Sequence, residues 1–287
     1  MRIPIIFLHR TVEEHVPYCL QQAKLSNLTS RVILLGTAEN QSMCNESIEH
    51  YLIKDYCEHA LEFEKIYKHV SLNPYIYNLF CFQRWFILRD FMKQNKIPRC
   101  CALDSDVLLY TSVDTPDFYE FSMEFSWTTF CTIEMLEAFC SYIILLFSEP
   151  KQFSRVLSFA EKQGDAPVSD MIFCDLFHHD HPEFPKSFGI FSNCFFDHNL
   201  NCPIPLPLTQ VELWDGRKKI YLLNNQLYCK KVGSDDLLRV CSLHFQSSAK
   251  LFLKHFFSPV FSTHSAHGSS SPLFFDYHTS QWVPCDL

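Results

Sequence analysis

Two aspartates interrupt an apolar stretch that is otherwise typical of a buried strand. Asp104 and Asp106 lie in RCCALDSDVLLY, residues 99–110, with apolar residues on both sides. Unpaired carboxylates are costly in such a setting, whereas two carboxylates at i and i+2 can converge on one hard cation where the backbone turns. That cation can bridge to phosphate oxygens. The pattern therefore predicts either a metal site for a phosphorylated ligand or a strand-end turn with solvated aspartates.

A second cluster of potential metal ligands lies in FHHDHPE, where His178, His179, Asp180 and His181 follow one another. Consecutive residues rarely point inward together, and a catalytic zinc site needs spaced ligands on a rigid element. We therefore expect a solvated loop there rather than a metal site.

Composition excludes several classes of protein. The chain has 287 residues, a net charge of −8 and no long basic run, which argues against binding nucleic acid through its phosphates. Only 6 glycines occur, and none forms GxGxxG or GxxxxGK[ST], so neither a dinucleotide-binding fingerprint nor a P-loop is present. Other groups must neutralise the phosphates of any phosphorylated ligand.

The 14 cysteines show no CxxC pair, so we expect reduced and mostly buried thiols. The opening MRIPIIFLHRTVEEH is a poor signal peptide, because charge returns after a short apolar run. No apolar run reaches the length of about 18 residues that a membrane span needs. These features predict a cytoplasmic protein.

The N-terminal third alternates between strand and helix patterns. IPIIFLH and RVILLG read as strands, the second ended by Gly36, and VEEHVPYCLQQAKLS between them reads as an amphipathic helix. A long helix, PYIYNLFCFQRWFILRDFMKQN, begins at Pro74 and precedes the strand CCALDSDVLLY. Such alternation predicts a parallel sheet with crossover helices.

The second half is more mixed. We expect helices in TIEMLEAFCSYIILLF, KQFSRVLSFAEKQ and SDMIFCDLF, the last capped by Ser169. KKIYLLNNQLYCKK predicts a β-hairpin that turns at Asn224 and Asn225, and LLRVCSLHF predicts a strand ending near His244. AKLFLKHFF follows as an amphipathic helix. The chain is thus predicted to be one α/β domain with a mixed sheet over residues 1–255, with a loosely ordered extension over residues 256–287.

Three stretches, in this order, resemble glycosyltransferases of the GT-A fold, which use nucleotide-sugar donors. FQRWFILRDFMKQNKIPRCCALDSDVLLY is similar to their helix leading into the DxD strand, and GDAPVSDMIF to the segment with an acidic residue beside the donor sugar. CSLHFQSSAKLFL is similar to the HFxGxxK element of metal-dependent members, including the family-8-like group, although Ser247 stands where those relatives usually carry glycine. The resemblance, from about residue 3 to 252, implies a single GT-A-like domain with a mostly parallel mixed sheet flanked by helices.

The resemblance implies a metal site. It makes Asp104, Asp106 and His244 ligands of Mn²⁺ or Mg²⁺, and it pairs Lys250 with a phosphate of the donor. The alternatives are a buried histidine bonded to a backbone carbonyl and a solvated helix lysine.

The same resemblance places Arg84 near the sugar or diphosphate of the donor and Asp170 near the reacting sugar. Ordinary alternatives exist for both. Arg84 could be a core-edge arginine, and Asp170 could be a first-turn carboxylate that complements the helix dipole beside Ser169.

Nucleotide contacts are expected near the end of the first strand. His9 and Thr11 follow that strand, Ser105 lies between the two aspartates, and Glu39 after the second strand is a weaker candidate. Solvated loop residues are the alternative for each.

The implied activity is transfer of a sugar from a nucleotide-diphosphate sugar, preferably a UDP-sugar, to a hydroxyl of a glycan, a lipid-linked glycan or a protein. The family-8 likeness favours retention of configuration.

A sugar nucleotidyltransferase is a weaker alternative, because those enzymes usually carry a glycine-rich loop after the first strand and here the first glycine is Gly36. A non-catalytic nucleotide- or sugar-binding protein remains a second alternative. KLFLKHFFSPVF is a candidate membrane-surface contact, although packing against the main domain is favoured.

Overall fold

A computed structural model describes residues 2–118, 128–163, 168–184, 189–201, 211–260 and 271–287. Its helices are α1 Val16–Ser26, α2 Glu58–Glu64, α3 Tyr75–Gln94, α4 Ile133–Ser148, α5 Pro150–Lys162 and α6 Asp170–Asp180. Its strands are β1 Ile5–Leu8, β2 Val32–Gly36, β3 Glu49–Leu52, β4 Arg99–Leu103, β5 Val107–Leu109, β6 Thr128–Thr132, β7 Ile190–Phe191, β8 Cys194–Phe196, β9 Leu213–Trp214, β10 Arg217–Lys218, β11 Tyr221–Leu223, β12 Gln226–Lys230, β13 Leu237–His244, β14 Leu273–Asp276 and β15 Gln281–Pro284. Among these described segments, no helix combines the length and apolarity needed to span a bilayer.

The first sheet has the strand order β3-β2-β1-β4-β6. Its pairs are parallel except for β4 with β6, so the carboxyl ends of β1, β2 and β4 lie at one edge. Successive residues of β1 face opposite cores: Ile5 and Phe7 pack with α1, and Ile6 packs with α3. Burial on both faces is typical of a parallel sheet covered by helices. The predicted α/β class, with a mostly parallel sheet flanked by helices, is confirmed.

The long helix α3 begins directly after Pro74, as predicted. Its buried face includes Phe82 and Phe86, and each side chain of this size contributes roughly 1.5–3 kcal/mol when removed from water. Phe63 of α2 stacks on Phe86 with ring centroids 5.0 Å apart. This packing fixes α3 against the sheet and thereby fixes the position of Arg84, which α3 carries.

The second sheet has the order β15-β14-β11-β12-β13-β8-β7, with β5 also pairing with β13. The predicted hairpin is present as β11 and β12. Asn224 and Asn225 form its turn with φ of +49° and +60°, the left-handed conformation that asparagine tolerates. The predicted strand that ends at His244 is β13.

The stretch that reads as one strand around the two aspartates is in fact two, and the prediction of a continuous strand is wrong. β4 ends at Leu103 and belongs to the first sheet, whereas β5 begins at Val107 and pairs with β13 of the second. The N–H of Val107 donates to the carbonyl of Asp104 at 3.1 Å and closes a turn between them. Asp104 and Asp106 therefore lie where the chain passes from one sheet to the other.

Two helix predictions also need correction. α1 begins at Val16, next to Pro17, rather than in the preceding VEEH segment. The segment after β13 is a 3₁₀ helix, Ser247–Phe256, rather than an amphipathic α-helix. Leu253 and Phe256 on it are buried, in line with the favoured packing role.

The prediction of a loosely ordered C-terminal extension is wrong for its described part. β14 and β15 form a hairpin, and β14 pairs with β11 of the second sheet. Phe275 and Trp282 of this hairpin are buried, and the ring of Phe275 lies 4.6 Å from that of Phe256. Apolar burial therefore fixes the hairpin on the main domain, and the boundary at residue 255 stays a prediction.

Candidate active site

Asp104, Asp106 and His244 form the metal-ligand cluster of the described chain. One ligand atom from each lies within 4.8 Å of those of the other two. Nε2 of His244 is 3.2 Å from Oδ1 of Asp106. Antiparallel pairing creates this approach, because Val107 stands opposite His244 and the N–H of Phe245 donates to the carbonyl of Asp106 at 2.9 Å.

The hydrogen bonding of His244 fixes its tautomer. Nδ1 faces the backbone carbonyl of His198, which can only accept, so Nδ1 carries a proton and Nε2 is the ring atom that can give its lone pair to a cation. The side chain is 3% exposed, so the ring has little freedom to turn. Two carboxylates and one neutral imidazole suit Mn²⁺, whereas Mg²⁺ prefers oxygen ligands alone. The donor set therefore fits a divalent metal.

Lys250 lies on the other side of Asp106. Its Nζ is 3.3 Å from Oδ2 of Asp106 and 3.9 Å from a carboxylate oxygen of Glu13, and its side chain is 37% exposed. A partly exposed ammonium beside the metal ligands can reach an anion that approaches from solvent.

Arg84 connects α6 to the turn that carries Asp104 and Asp106. Nη1 is 2.6 Å from Oδ1 of Asp104, and Nη2 is 2.7 Å from Oδ2 of Asp170. The indole of Trp85 donates to the same oxygen of Asp170 at 3.1 Å. Nε of Arg84 is buried and has no hydrogen-bond partner among the described residues. Asp170 is itself 3% exposed and is the first residue of α6, so its carboxylate also lies in the first turn of that helix.

Without a metal, the pKa values of Asp104 and Asp106 are shifted in opposite directions. Burial raises the pKa of Asp104 to about 6, although Arg84 opposes the shift. Burial would also raise the pKa of Asp106, but its hydrogen bond to His244 and the charge of Lys250 prevail and hold that pKa at about 2. Burial lowers the pKa of His244, yet Asp106 outweighs it, so the net shift is upward. A divalent cation would favour the ionised form of Asp104.

The loop after β1 lies beside the turn that carries Asp104 and Asp106. Nδ1 of His9 lies 2.9 Å from the hydroxyl of Ser105, and its Nε2 lies 3.0 Å from the hydroxyl of Thr11. Burial lowers the pKa of His9. The buried Asn40 fixes this loop by donating to the carbonyl of His9 at 2.7 Å. A Cβ on Gly36 would lie 2.2 Å from Oδ1 of Asn40, so only glycine leaves room there.

Glu39 does not share these contacts among the described residues. It lies on the 3₁₀ turn Glu39–Met43 with its side chain exposed. The structure thus brings together all the predicted site residues except Glu39. They are His9, Thr11, Arg84, Asp104, Ser105, Asp106, Asp170, His244 and Lys250.

Glu13, His15 and Trp85 were not among the predicted site residues. Glu13 accepts from the hydroxyl of Thr11 at 3.0 Å and lies 3.4 Å from Nδ1 of His15. Their only sequence signal is position, since Glu13 and His15 lie in the loop after β1 and Trp85 follows Arg84.

A groove of about 690 Å³ opens beside Lys250, between α1 and the 3₁₀ helix. It is lined by Glu14, His15, Pro17, Tyr18, Gln21, Lys250, Leu251, Leu253 and Lys254. Volumes of this size are common for small-molecule sites.

The histidine cluster is not a loop, and that prediction is wrong. His178, His179 and Asp180 belong to the last turn of α6. Asp180 accepts from the guanidinium of Arg155 at 2.5 Å and from the hydroxyl of Tyr142 at 2.7 Å. The carboxylate therefore fastens α6 to α4 and α5.

No protein-family model matches the chain, and no curated protein matches it. Similar solved structures include apo mouse xyloside xylosyltransferase 1, with 12% identity, a TM-score of 0.42, and coverage of 69% of this chain and 87% of that one. An active-site mutant of LgtC gives 11% identity and a TM-score of 0.42, with coverage of 92% and 96%. The apo glycosyltransferase GlyE of Streptococcus pneumoniae gives 10%, 0.33, and coverage of 70% and 47%. Because these identities and TM-scores are low, the function of the chain must be argued from its own site.

Proposed function

We propose that the protein is a metal-dependent glycosyltransferase that moves a sugar from a UDP-sugar to an acceptor hydroxyl. The convergence of Asp104, Asp106 and His244, with Lys250 beside them, carries the proposal. Two carboxylates and an imidazole hold a divalent cation, and a neighbouring ammonium completes a site for a diphosphate. This arrangement neutralises phosphates without the glycine-rich loop that the chain lacks.

Asp104, Asp106 and His244 would hold Mn²⁺. When bound, the metal supplies positive charge that stabilises the departing diphosphate. Lys250 exchanges its contact with Asp106 for a phosphate oxygen and orients the donor. Arg84 has a buried Nε–H free to donate to the donor, while its other nitrogens hold Asp104 and Asp170.

Asp170 would lie beside the reacting carbon of the sugar. In the transfer, the bond from that carbon to the diphosphate oxygen breaks, a bond to the acceptor oxygen forms, and the acceptor hydroxyl gives its proton to an oxygen of the departing diphosphate. Arg84 and Trp85 keep the Asp170 carboxylate in one orientation, where its negative charge stabilises the positive charge that develops on the sugar. A retaining reaction agrees with this role.

The nucleotide would lie against the loop after β1. His9, Thr11 and Ser105 supply polar contacts there, and the groove beside Lys250 has room for a ligand of this size. A glycan, a lipid-linked glycan or a protein would provide the acceptor hydroxyl.

Thermal unfolding against a panel of nucleoside diphosphates and nucleotide sugars, with and without Mn²⁺, tests the binding part of this proposal. UDP and a UDP-sugar should raise the melting temperature only when Mn²⁺ is present. Transfer, or slow donor hydrolysis, should then be lost in Asp104→Asn and in Asp106→Asn while the fold persists, because each change removes a charge from a hard-cation site.

Asp235→Asn is the matched control, since its side chain is fully exposed. Full transfer by either site variant at low Mn²⁺ would contradict the metal assignment. Metal-dependent nucleotide binding without any transfer or hydrolysis would favour the non-catalytic alternative.

A further inference from the structure

His244 is held at three points by one short loop. The loop runs from Asp197 to Leu200, directly after β8. Oδ2 of Asp197 accepts from the backbone N–H of His244 at 3.1 Å, and the carbonyl of His198 accepts from its ring Nδ1. The N–H of Leu200 donates to the carbonyl of His244 at 2.9 Å. The loop thus fixes the backbone and the ring of this residue together.

A buried acid–amine pair fixes the loop in turn. Nζ of Lys218 forms an ion pair with Oδ1 of Asp197 and donates to the carbonyl of Asn199 at 2.8 Å. The N–H of Asn199 donates to Oδ1 of Asp197 at 3.3 Å. The Asp197 side chain is 0% exposed and that of Lys218 is 11% exposed. Both ends of the carboxylate are therefore used, one by Lys218 and one by His244.

The C-terminal hairpin supports the same pair. The hydroxyl of the buried Tyr277, which follows β14, donates to the carbonyl of Lys218 at 2.7 Å. The N–H of Lys218 donates to the carbonyl of Leu200 at 3.1 Å. A continuous set of bonds thus joins residue 277 to His244 through Lys218 and Asp197.

Stability alone does not explain a buried pair of this kind. Two charges lose their hydration on burial, and well-packed apolar residues of similar size are often at least as stabilising. What the pair adds is an acceptor for the N–H of His244 and a fixed position for the carbonyl that selects the tautomer. Partners that orient a ligating histidine in this way typically change metal affinity by roughly 10-fold to 100-fold when they are removed.

We propose that Asp197 and Lys218 are positioning residues of the metal site, which hold His244 with the lone pair of Nε2 directed at the cation. The inference rests on the proposed function, because it requires a metal at Asp104, Asp106 and His244. It adds two residues that touch neither the metal ligands' side chains nor the donor.

The test measures Mn²⁺ affinity directly, by titrating the electron paramagnetic resonance signal of free Mn²⁺ without nucleotide. The paired variant Asp197→Leu with Lys218→Met removes both charges and leaves no acceptor for the N–H of His244. The paired variant Asp197→Asn with Lys218→Met also removes both charges but keeps an amide oxygen that can accept this bond. Where the leucine pair does not fold, Asp197→Ala with Lys218→Met replaces it, since alanine also lacks the acceptor.

A control variant separates positioning from general loss of stability. Asp90 is also a buried aspartate, paired with Arg89 at 2.7 Å and with His59 at 2.8 Å, and it lies six residues after Arg84 on α3. Asp90→Asn should lower the melting temperature and leave Mn²⁺ affinity unchanged.

We expect the leucine pair to bind Mn²⁺ roughly 10-fold to 100-fold more weakly than the wild type, and the asparagine pair to recover most of that loss. Wild-type affinity in the leucine pair, or an equal loss in Asp90→Asn, would overturn the inference. A wild type that binds no Mn²⁺ would overturn the proposed function instead.

Discussion

Lys250 and His244 contact opposite oxygens of the same carboxylate. Nζ of Lys250 lies 3.3 Å from Oδ2 of Asp106, and Nε2 of His244 lies 3.2 Å from Oδ1. The histidine is almost fully buried, whereas the lysine is 37% exposed. The two residues can therefore act differently. The buried ring of His244 can contact only the metal-ligand cluster, whereas the ammonium of Lys250 can turn to a ligand in solvent.

Lys250→Ala should weaken diphosphate binding and leave Mn²⁺ affinity largely unchanged. A hydrogen bond to a charged group contributes about 1.5–3 kcal/mol, so we expect the affinity for UDP at saturating Mn²⁺ to fall roughly 10-fold to 100-fold. Isothermal titration calorimetry measures both affinities.

Lys254→Ala is the control for this change, since Lys254 lies on the same 3₁₀ helix and lines the same groove. A similar loss of UDP affinity in both variants would indicate general electrostatic attraction rather than a specific contact. An unchanged Lys250→Ala variant would remove the lysine from the site.

Asp170→Asn should lower turnover much more than it weakens donor binding. The carboxylate is buried and oriented by two donors, so the loss of its charge should act on the transition state and reduce kcat by roughly 100-fold or more. Trp85→Phe, which removes only one of the two donors, should reduce kcat less. Unchanged kcat with a large loss of donor affinity would move Asp170 away from the reacting carbon.

Asp104→Asn should stabilise the metal-free protein at pH 7.5. Partial burial raises the pKa of Asp104 to about 6, so the folded state carries the cost of an ionised, partly buried carboxylate above that pH. Below it, the folded protein takes up a proton before the unfolded chain does, and the wild type regains stability. The difference in melting temperature between variant and wild type, measured in chelator, should therefore be positive at pH 7.5 and smaller at pH 5. A variant less stable than the wild type at pH 7.5 would contradict this.

Ser247→Gly should stabilise the protein and keep the site intact. Ser247 has φ of +52°, a left-handed conformation that costs a residue with a Cβ about 1–2 kcal/mol and costs glycine nothing. The greater freedom of glycine in the unfolded chain offsets part of this gain, which leaves about 1 kcal/mol or less. Chemical denaturation measures it. Ser248→Gly is the control, because Ser248 lacks the positive φ and should lose stability.

The same observation explains a departure noticed in the sequence. Relatives of the family that the chain resembles usually carry glycine at the position of Ser247, and the backbone conformation there is one that favours glycine. The loop takes this conformation with serine, at a cost in stability.

Local patterns predicted the elements of the first half well. Strand and helix periods are short-range signals, and Pro74 marks a helix start that depends on local backbone geometry. The break between β4 and β5 could not be predicted, because both halves of that stretch are apolar and only long-range pairing decides which sheet each joins.

The metal ligands could be predicted only because they fall in recognisable motifs. Asp197 and Lys218 carry no such signal, since an acid in one loop and a lysine elsewhere read as ordinary surface residues. Their burial and their bond to His244 follow from tertiary packing that no local period encodes. That the C-terminal hairpin packs on the second sheet could not be predicted for the same reason.

The most direct test is a crystal structure with Mn²⁺ and UDP, in which anomalous scattering locates the metal. The account predicts one strong Mn²⁺ peak in coordination contact with carboxylate oxygens of Asp104 and Asp106, with Nε2 of His244 and with the diphosphate. Lys250 should lie on a phosphate oxygen. A peak elsewhere, or a metal bound by the aspartates with His244 well outside ligand distance, would contradict it.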